Sequence, residues 1–130
     1  MEEIILSGSA IIQEGKLLLL YKFKDQKYEL PGGKVKSGES LEEAAIRETR
    51  EEINCDVKLI KYLVAIKFKK DDQKIISHKF LAQIIFGEPK ANEIEHNQIL
   101  WMPIQNYQNY SLQANVIEFC QRYLNQELDV

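Results

Sequence analysis

The chain has 130 residues, 45% of them hydrophobic and 28% charged, with a net charge of −3 at pH 7, which fits one globular domain over residues 1–130 with enough apolar content for a core. The negative balance gives no basic field for a nucleic acid polymer, so an anionic substrate would need positive charge supplied locally, most simply by a metal ion. Two cysteines, Cys55 and Cys120, without a Cys-x-x-Cys or Cys/His cluster argue against zinc and for reduced thiols; no basic segment leads into a long apolar run, which predicts a cytoplasmic chain without signal peptide or membrane span.

In chain order, residues 4–13 read as a strand, Glu14-Gly15 as a turn and residues 16–23 as a second strand. Leu17 to Leu20 form a continuous apolar run, as expected of a strand covered on both faces. Residues 28–30 read as a short strand running into Pro31, and residues 31–39 as loop. Residues 41–53 form the clearest helix: Ser40 and Glu43 make a Ser-x-x-Glu capping box, and Asn54 stands where a left-handed cap residue belongs. Residues 57–69 and 74–86 are two β-rich stretches around Asp71-Asp72-Gln73, a hairpin. Residues 87–97 read as loop and 99–102 as a strand. A last helix over 112–124, capped by Ser111 or Asn109, would bury Val116, Ile117, Cys120 and Leu124. The pattern is a mixed sheet with two helices, an α+β or α/β/α layering.

Residues 31–55 carry the chemistry. With Glu48 at zero on a helical wheel, Glu52 lies at about 40° and Glu51 at about −60°. Ile46, Thr49 and Ile53 form a separate stripe about 135° away, the expected core face. Like charges at these spacings repel by a few tenths of a kcal/mol per pair, and the final turns of a helix disfavour anions. Carboxylates placed against both rules fit either a solvated acidic face, relieved by Arg47 and Arg50, or a site for a cation. Gly32 and Gly33 directly before the helix let backbone approach a ligand closely, and an oxygen-rich donor set suits Mg²⁺, with Mn²⁺ able to substitute.

Gly33, five residues, Glu39, seven residues and then Arg47-Glu48-Thr49-Arg50-Glu51-Glu52-Ile53-Asn54-Cys55 resemble the signature box of the Nudix hydrolases. Chance coincidence of six such positions is on the order of 10⁻⁵ at ordinary residue usage. Asn54 stands for the usual glycine and tolerates the same left-handed conformation. Thr49 stands for a larger apolar residue and is expected to weaken packing more than chemistry. The resemblance implies a Nudix-like α/β/α sandwich with a mixed sheet. It also implies a metal site from Glu48, Glu51 and Glu52, with the Gly33 carbonyl as a further ligand, Glu39 supporting from behind and Arg47 orienting the carboxylates. Glu95, before Trp101, resembles a loop acid that completes the metal site in relatives; either it or a box glutamate would act as base.

Pro31-Gly32-Gly33-Lys34 and Gly38-Glu39 resemble the MutT-type members, which cleave nucleoside triphosphates to monophosphate and pyrophosphate. Ala114-Asn115 resembles their base-contacting asparagine, and an amide can both donate and accept at a base edge. Lys22, Lys24 and Lys34 could meet phosphate or be ordinary solvated lysines. His78 reads as non-catalytic and Trp101 as core or pocket wall. Asp71, Asp72 and Gln73 occupy places where ADP-ribose or diadenosine polyphosphate hydrolases often carry proline or tyrosine, which favours a (deoxy)nucleoside triphosphate. The alternatives are an ADP-ribose or other NDP-X pyrophosphatase, or a non-catalytic nucleotide-binding regulatory domain. The implied partner is a small nucleotide, with no nucleic acid polymer or membrane; family members are often homodimers.

Overall fold

A computed structural model describes residues 3–91 and 96–130. In chain order they form β1 (Glu3–Gln13), β2 (Lys16–Lys22), β3 (Lys27–Glu29), β4 (Gly32–Lys34), α1 (Leu41–Ile53), β5 (Asp56–Lys70), β6 (Gln73–Phe86), β7 (His96–Pro103), a 3₁₀ segment Ile104–Asn109 and α2 (Ala114–Leu124). Two hairpins rest on paired positive φ angles: Glu14 (51°) and Gly15 (75°) join β1 to β2, and Asp71 (51°) and Asp72 (63°) join β5 to β6. Such turns match the right-handed twist of the flanking strands. β1 runs parallel to β6, from Glu3 opposite Lys74 to Ile11 opposite Ala82, while β5 and β6 are antiparallel. The described strands thus make the expected mixed sheet, ordered β3-β2-β1-β6-β5, with β4 on β1 and β7 on β2.

The leucine run of β2 shows how the two helices are held. Leu17 and Leu19 point to one face, where they pack with Ala10, Ile66, Met102 and the α2 residues Val116 and Phe119. Leu18 and Leu20 point to the other, against Ile11, Val57, Ala82 and Ile53 of α1. All four leucines are fully buried, each stabilising the fold by about 1.5–3 kcal/mol before entropy is counted. The sheet is therefore sandwiched between α1 and α2.

Helix α1 starts and stops as its sequence predicts. The Ser40 hydroxyl accepts from the Glu43 N–H at 3.0 Å and the Glu43 carboxylate accepts from the Ser40 N–H at 2.9 Å. Asn54 is left-handed at φ 60°, ψ 34°. The Thr49 position differs from expectation. Its hydroxyl is fully buried, donates to the Ala45 carbonyl at 2.7 Å and meets the buried Ser9 hydroxyl of β1 at 2.7 Å. Thr49 has one hydrogen, already given to Ala45, so Ser9 is the donor between them. The residue therefore replaces apolar packing by a hydroxyl contact that pins α1 to β1.

Other elements depart from the sequence reading for identifiable reasons. Residues 32–34, read as loop, pair with β1, with Ser7 opposite Gly33 and Gly8 opposite Gly32. A Cβ at Gly8 would lie 2.8 Å from the Gly32 Cα, so only glycine permits that approach. β7 begins at His96, earlier than the predicted residue 99. α2 begins at Ala114 with Gln113 before it and no side-chain cap, rather than at 112 under Ser111 or Asn109. Ser111 and Gln113 are committed to Tyr28, whose N–H donates to the Ser111 carbonyl at 2.8 Å and whose carbonyl accepts from the Gln113 N–H at 3.0 Å. The Ser111 hydroxyl donates to Gln26, and Asn109 lies in the 3₁₀ segment. α2 buries Val116, Phe119 and Cys120, while the predicted Ile117 and Leu124 remain 36% and 39% exposed.

The hydroxyl pair makes a measurable prediction. Thr49→Val alone should cost about 1–3 kcal/mol in denaturant unfolding, because it strands the Ser9 donor in the interior. The double replacement Ser9→Ala/Thr49→Val should recover much of that loss. Strictly additive single-site effects would contradict the pairing.

Candidate active site

The capped start of α1 lies beside the loop of residues 35–39, and its carboxyl half lies against β4. That half faces a groove lined by Lys22, Lys34, Lys36, Arg47, Glu48, Glu51 and Glu52, with Gly32 and Gly33 at its edge. The wheel geometry thus places all three box glutamates on one wall. Gly33 sits under Glu48: a Cβ there would be 2.6 Å from Glu48 Oε1 and closer still to Oε2. Glu52 is almost fully buried, and its Oε1 accepts from the Gly32 N–H at 2.7 Å. Glu51 is the most exposed of the three.

Arg47 ties these groups together. Its Nε and Nη2 donate to the two Glu39 oxygens at 2.6 and 2.9 Å, a bidentate charge-assisted pair. Nη2 also donates to the Lys34 carbonyl at 3.1 Å. Nη1 reaches Glu51 at 3.2 Å and lies 3.4 Å from Glu48 Oε2. One guanidinium therefore fastens the loop to the helix and bridges toward the acidic wall. Among the described residues, no three His, Cys, Asp or Glu side chains close round a point that could hold an ion. Glu51 leans to Arg47, and Glu52 to the Gly32 amide.

The electrostatics follow the same division. The Arg47 hydrogen bond, then the Lys36 N–H, lowers the Glu39 carboxyl to about 2. The Glu39 contact raises Arg47. Burial raises Glu48, against the pull of Arg47, and the like charge of Glu51 adds to the rise.

Lys22 lies 3.9 Å from Asp25 and also lines the groove. Lys24 is exposed and does not line it. Glu95 lies outside the described residues. His78 sits away from the groove, 2.8 Å from the Tyr62 hydroxyl. Trp101 packs against the α1-side core.

Sequence reasoning passed over a second cleft that continues from the groove. Its walls share Leu6, Glu29, Gly32 and Gly33 with the groove and add Gly8, Ser77, Lys79 and Asn115. Asn115, singled out in the sequence, therefore stands in the adjoining cleft rather than among the carboxylates. Lys79 is 5% exposed, and its Nζ donates to Asn115 Oδ1 at 3.0 Å. Burial lowers its ammonium to about 8, against the favourable charges of Glu29 and Glu52. A signal was present: in β6 the polar run Ser77-His78-Lys79, ending in a lysine, interrupts the apolar sequence between Ile75-Ile76 and Phe80-Leu81.

This fold and this groove define a NUDIX domain, and the chain belongs to that family: the family model, described as NUDIX domain, matches residues 7–123. Among curated relatives, a Bacillus subtilis protein named "Putative 8-oxo-dGTP diphosphatase YtkD" is 39% identical over 85 residues, 65% of this chain and 54% of the relative. An ADP-ribose pyrophosphatase of Methanocaldococcus jannaschii is 36% identical over 90 residues, 64% of this chain and 53% of that one. The chain spans about half the length of both. The crystal structure of a MutT protein from Methanosarcina mazei Go1 superposes with a TM-score of 0.86 at 26% identity, covering 97% of this chain and 96% of that one. A MutT NUDIX hydrolase from Burkholderia pseudomallei shares the fold, with a TM-score of 0.86 at 23% identity, covering 93% and 98%. NUDIX hydrolases generally use divalent metal cations.

The Arg47–Glu39 pair predicts a pH dependence in metal-free buffer. The folded Glu39 carboxyl is lowered to about 2 from an ordinary 4.5. Its stabilisation is therefore complete above the unfolded value and lost as pH falls from there toward the folded one. Glu48 has the opposite sign, since its raised carboxyl is relieved by protonation as pH falls. Melting temperature followed from pH 6 down to about 2 should fall less steeply for Glu39→Gln than for wild type. Superimposable acid limbs would contradict a folded-state role for the pair.

Proposed function

We propose that this chain is a divalent-metal-dependent hydrolase of nucleoside diphosphate-linked substrates, and that it cleaves a (deoxy)nucleoside triphosphate to monophosphate and pyrophosphate. The observation that carries the reading is the continuity of two unlike spaces. A groove with Glu48, Glu51 and Glu52 on one wall and Lys22, Lys34 and Lys36 at its rim opens past Gly32 and Gly33 into a cleft holding Asn115 and Lys79. Phosphates and base are separated by a similar divide within a nucleotide.

The groove suits a hard cation. Its donors are carboxylate oxygens, as Mg²⁺ or Mn²⁺ prefers. Glu48 lies half-buried with a like charge beside it, which is unfavourable without added positive charge. The space above Gly33, which any Cβ would fill, brings the loop backbone to the Glu48 carboxylate. Glu48, Glu51 and Glu52 would hold the ion, and Gly33 could add its carbonyl. When bound, the ion would neutralise phosphate charge and lower the pKa of a coordinated water. Arg47 would orient the box carboxylates through its contacts with Glu48 and Glu51, with Glu39 holding Arg47 in place. Lys22, Lys34 and Lys36 would attract the polyphosphate chain. Glu95 remains a candidate further acid by the resemblance. Retention of Glu48, Glu51 and Glu52 favours catalysis over passive nucleotide binding.

The triphosphate reading draws support from the names of two Bacillus subtilis relatives, both given as "Putative 8-oxo-dGTP diphosphatase". The archaeal relative's name keeps ADP-ribose as the second substrate to test. With Mg²⁺ present, phosphorus NMR should show monophosphate and pyrophosphate from at least one nucleoside triphosphate, and no orthophosphate. Glu52→Gln keeps the acceptor for the Gly32 N–H but removes the charge, and should lower turnover by at least about a hundredfold. Orthophosphate as the product, hydrolysis of ADP-ribose alone, or near-wild-type turnover by Glu52→Gln would overturn the reading.

A further inference from the structure

Lys79 is a costly residue to bury. An ammonium has three hydrogens to give and nothing to accept with, and its interior placement carries a desolvation penalty. It stands on β6 opposite Gly8 of β1, and both residues line the cleft. On the cleft wall its charge is compensated by Glu29 and Glu52. Its Nζ donates to Asn115 Oδ1 at 3.0 Å.

That bond decides which way the Asn115 amide is turned. An amide nitrogen cannot face an ammonium, so Oδ1 takes the Lys79 side and the NH₂ is turned away from it. The two residues then present hydrogens from both the ammonium and the amide. The cleft end is a donor surface built from one strand and one helix, and what fits it is an acceptor. Nucleobases divide on this point: guanine, hypoxanthine, uracil and thymine carry a carbonyl where adenine and cytosine carry an amino group. An amino group set against Lys79 would leave donor facing donor.

We infer that Lys79 is the specificity-determining residue of this cleft, selecting nucleotides with a carbonyl at purine position 6 or pyrimidine position 4 over those with an amino group there. The inference rests on the nucleotide-hydrolase reading above for placing the base in the cleft and the phosphates in the groove.

Inosine and adenosine nucleotides are the matched probe, since they differ only in the group at position 6 and in the hydrogen that accompanies its carbonyl on N1. In calorimetry with EDTA, wild type should bind IMP and GMP at least about tenfold more tightly than AMP, and UMP more tightly than CMP. Lys79→Met, similar in length and uncharged, should bring the IMP-to-AMP ratio within about threefold of unity. Lys79→Gln keeps a donor at shorter reach, guards against misfolding of the first variant, and should reduce the ratio less. The kcat/KM ratio for ITP over ATP should move in parallel. A wild type without this preference, a preference that survives Lys79→Met, or an equal loss on every nucleotide would overturn the inference; the last would mark Lys79 as serving Glu29 and Glu52 alone. Base-selective binding without hydrolysis would sink the catalytic reading and leave this one standing. Hydrolysis without base selection would do the reverse.

Discussion

The structure turns on how closely the glycine strand approaches the acidic helix. Gly32 gives its N–H to Glu52, Gly33 leaves room for the Glu48 carboxylate, and Arg47 spans from the Lys34 carbonyl to Glu39 and Glu51. Each contact needs the others. The Gly32 amide can reach Glu52 because β4 is paired to β1, and that pairing exists because Gly8 and Gly32 have no side chains to collide. α1 in turn is held on β1 by the buried Ser9–Thr49 hydroxyl contact and by Ile53 in the apolar layer beneath it. A side chain at Gly8 or Gly32 would push β1 and β4 apart, and one at Gly33 would displace the Glu48 carboxylate.

Charge is handled unevenly across this arrangement. Arg47 spends its two strongest bonds on Glu39, which is thereby kept ionised well below the ordinary range. Less is left for Glu48, where burial dominates and the carboxyl is raised. Arg47 secures the loop through Glu39 and also reaches Glu48 and Glu51, yet the Glu48 carboxyl stays raised.

Much of the fold was legible because it rests on local rules. The capping box, the left-handed Asn54, both hairpin turns and the two-faced leucine run each depend on residues adjacent in sequence. What escaped depends on partners distant in the chain. β4 has two glycines and a lysine, with no alternation to read, and is a strand only because β1 lies beside it. The start of α2 is set by Tyr28, which takes up Ser111 and Gln113 before either can serve as a cap. Phe119 is buried and Ile117 is not, since the opposing sheet selects the helix face. In the candidate site, Glu48, Glu51, Glu52 and Gly33 could be set on one edge by periodicity and resemblance. Lys79 could not, because its cleft is assembled from β1, β3, β4, β6 and α2.

The central claim is that the acidic wall is kept for a divalent cation at a cost to the metal-free fold. The most direct measurement is melting temperature in EDTA and across a Mg²⁺ titration, for wild type and for Glu48→Gln. Linkage predicts that wild type gains stability with rising Mg²⁺, as binding to the folded state alone requires. Glu48→Gln should be at least as stable as wild type in EDTA, since a half-buried like charge is removed, and should gain clearly less from Mg²⁺. A wild-type melting temperature unmoved by Mg²⁺, or a Glu48→Gln protein that responds equally, would contradict it.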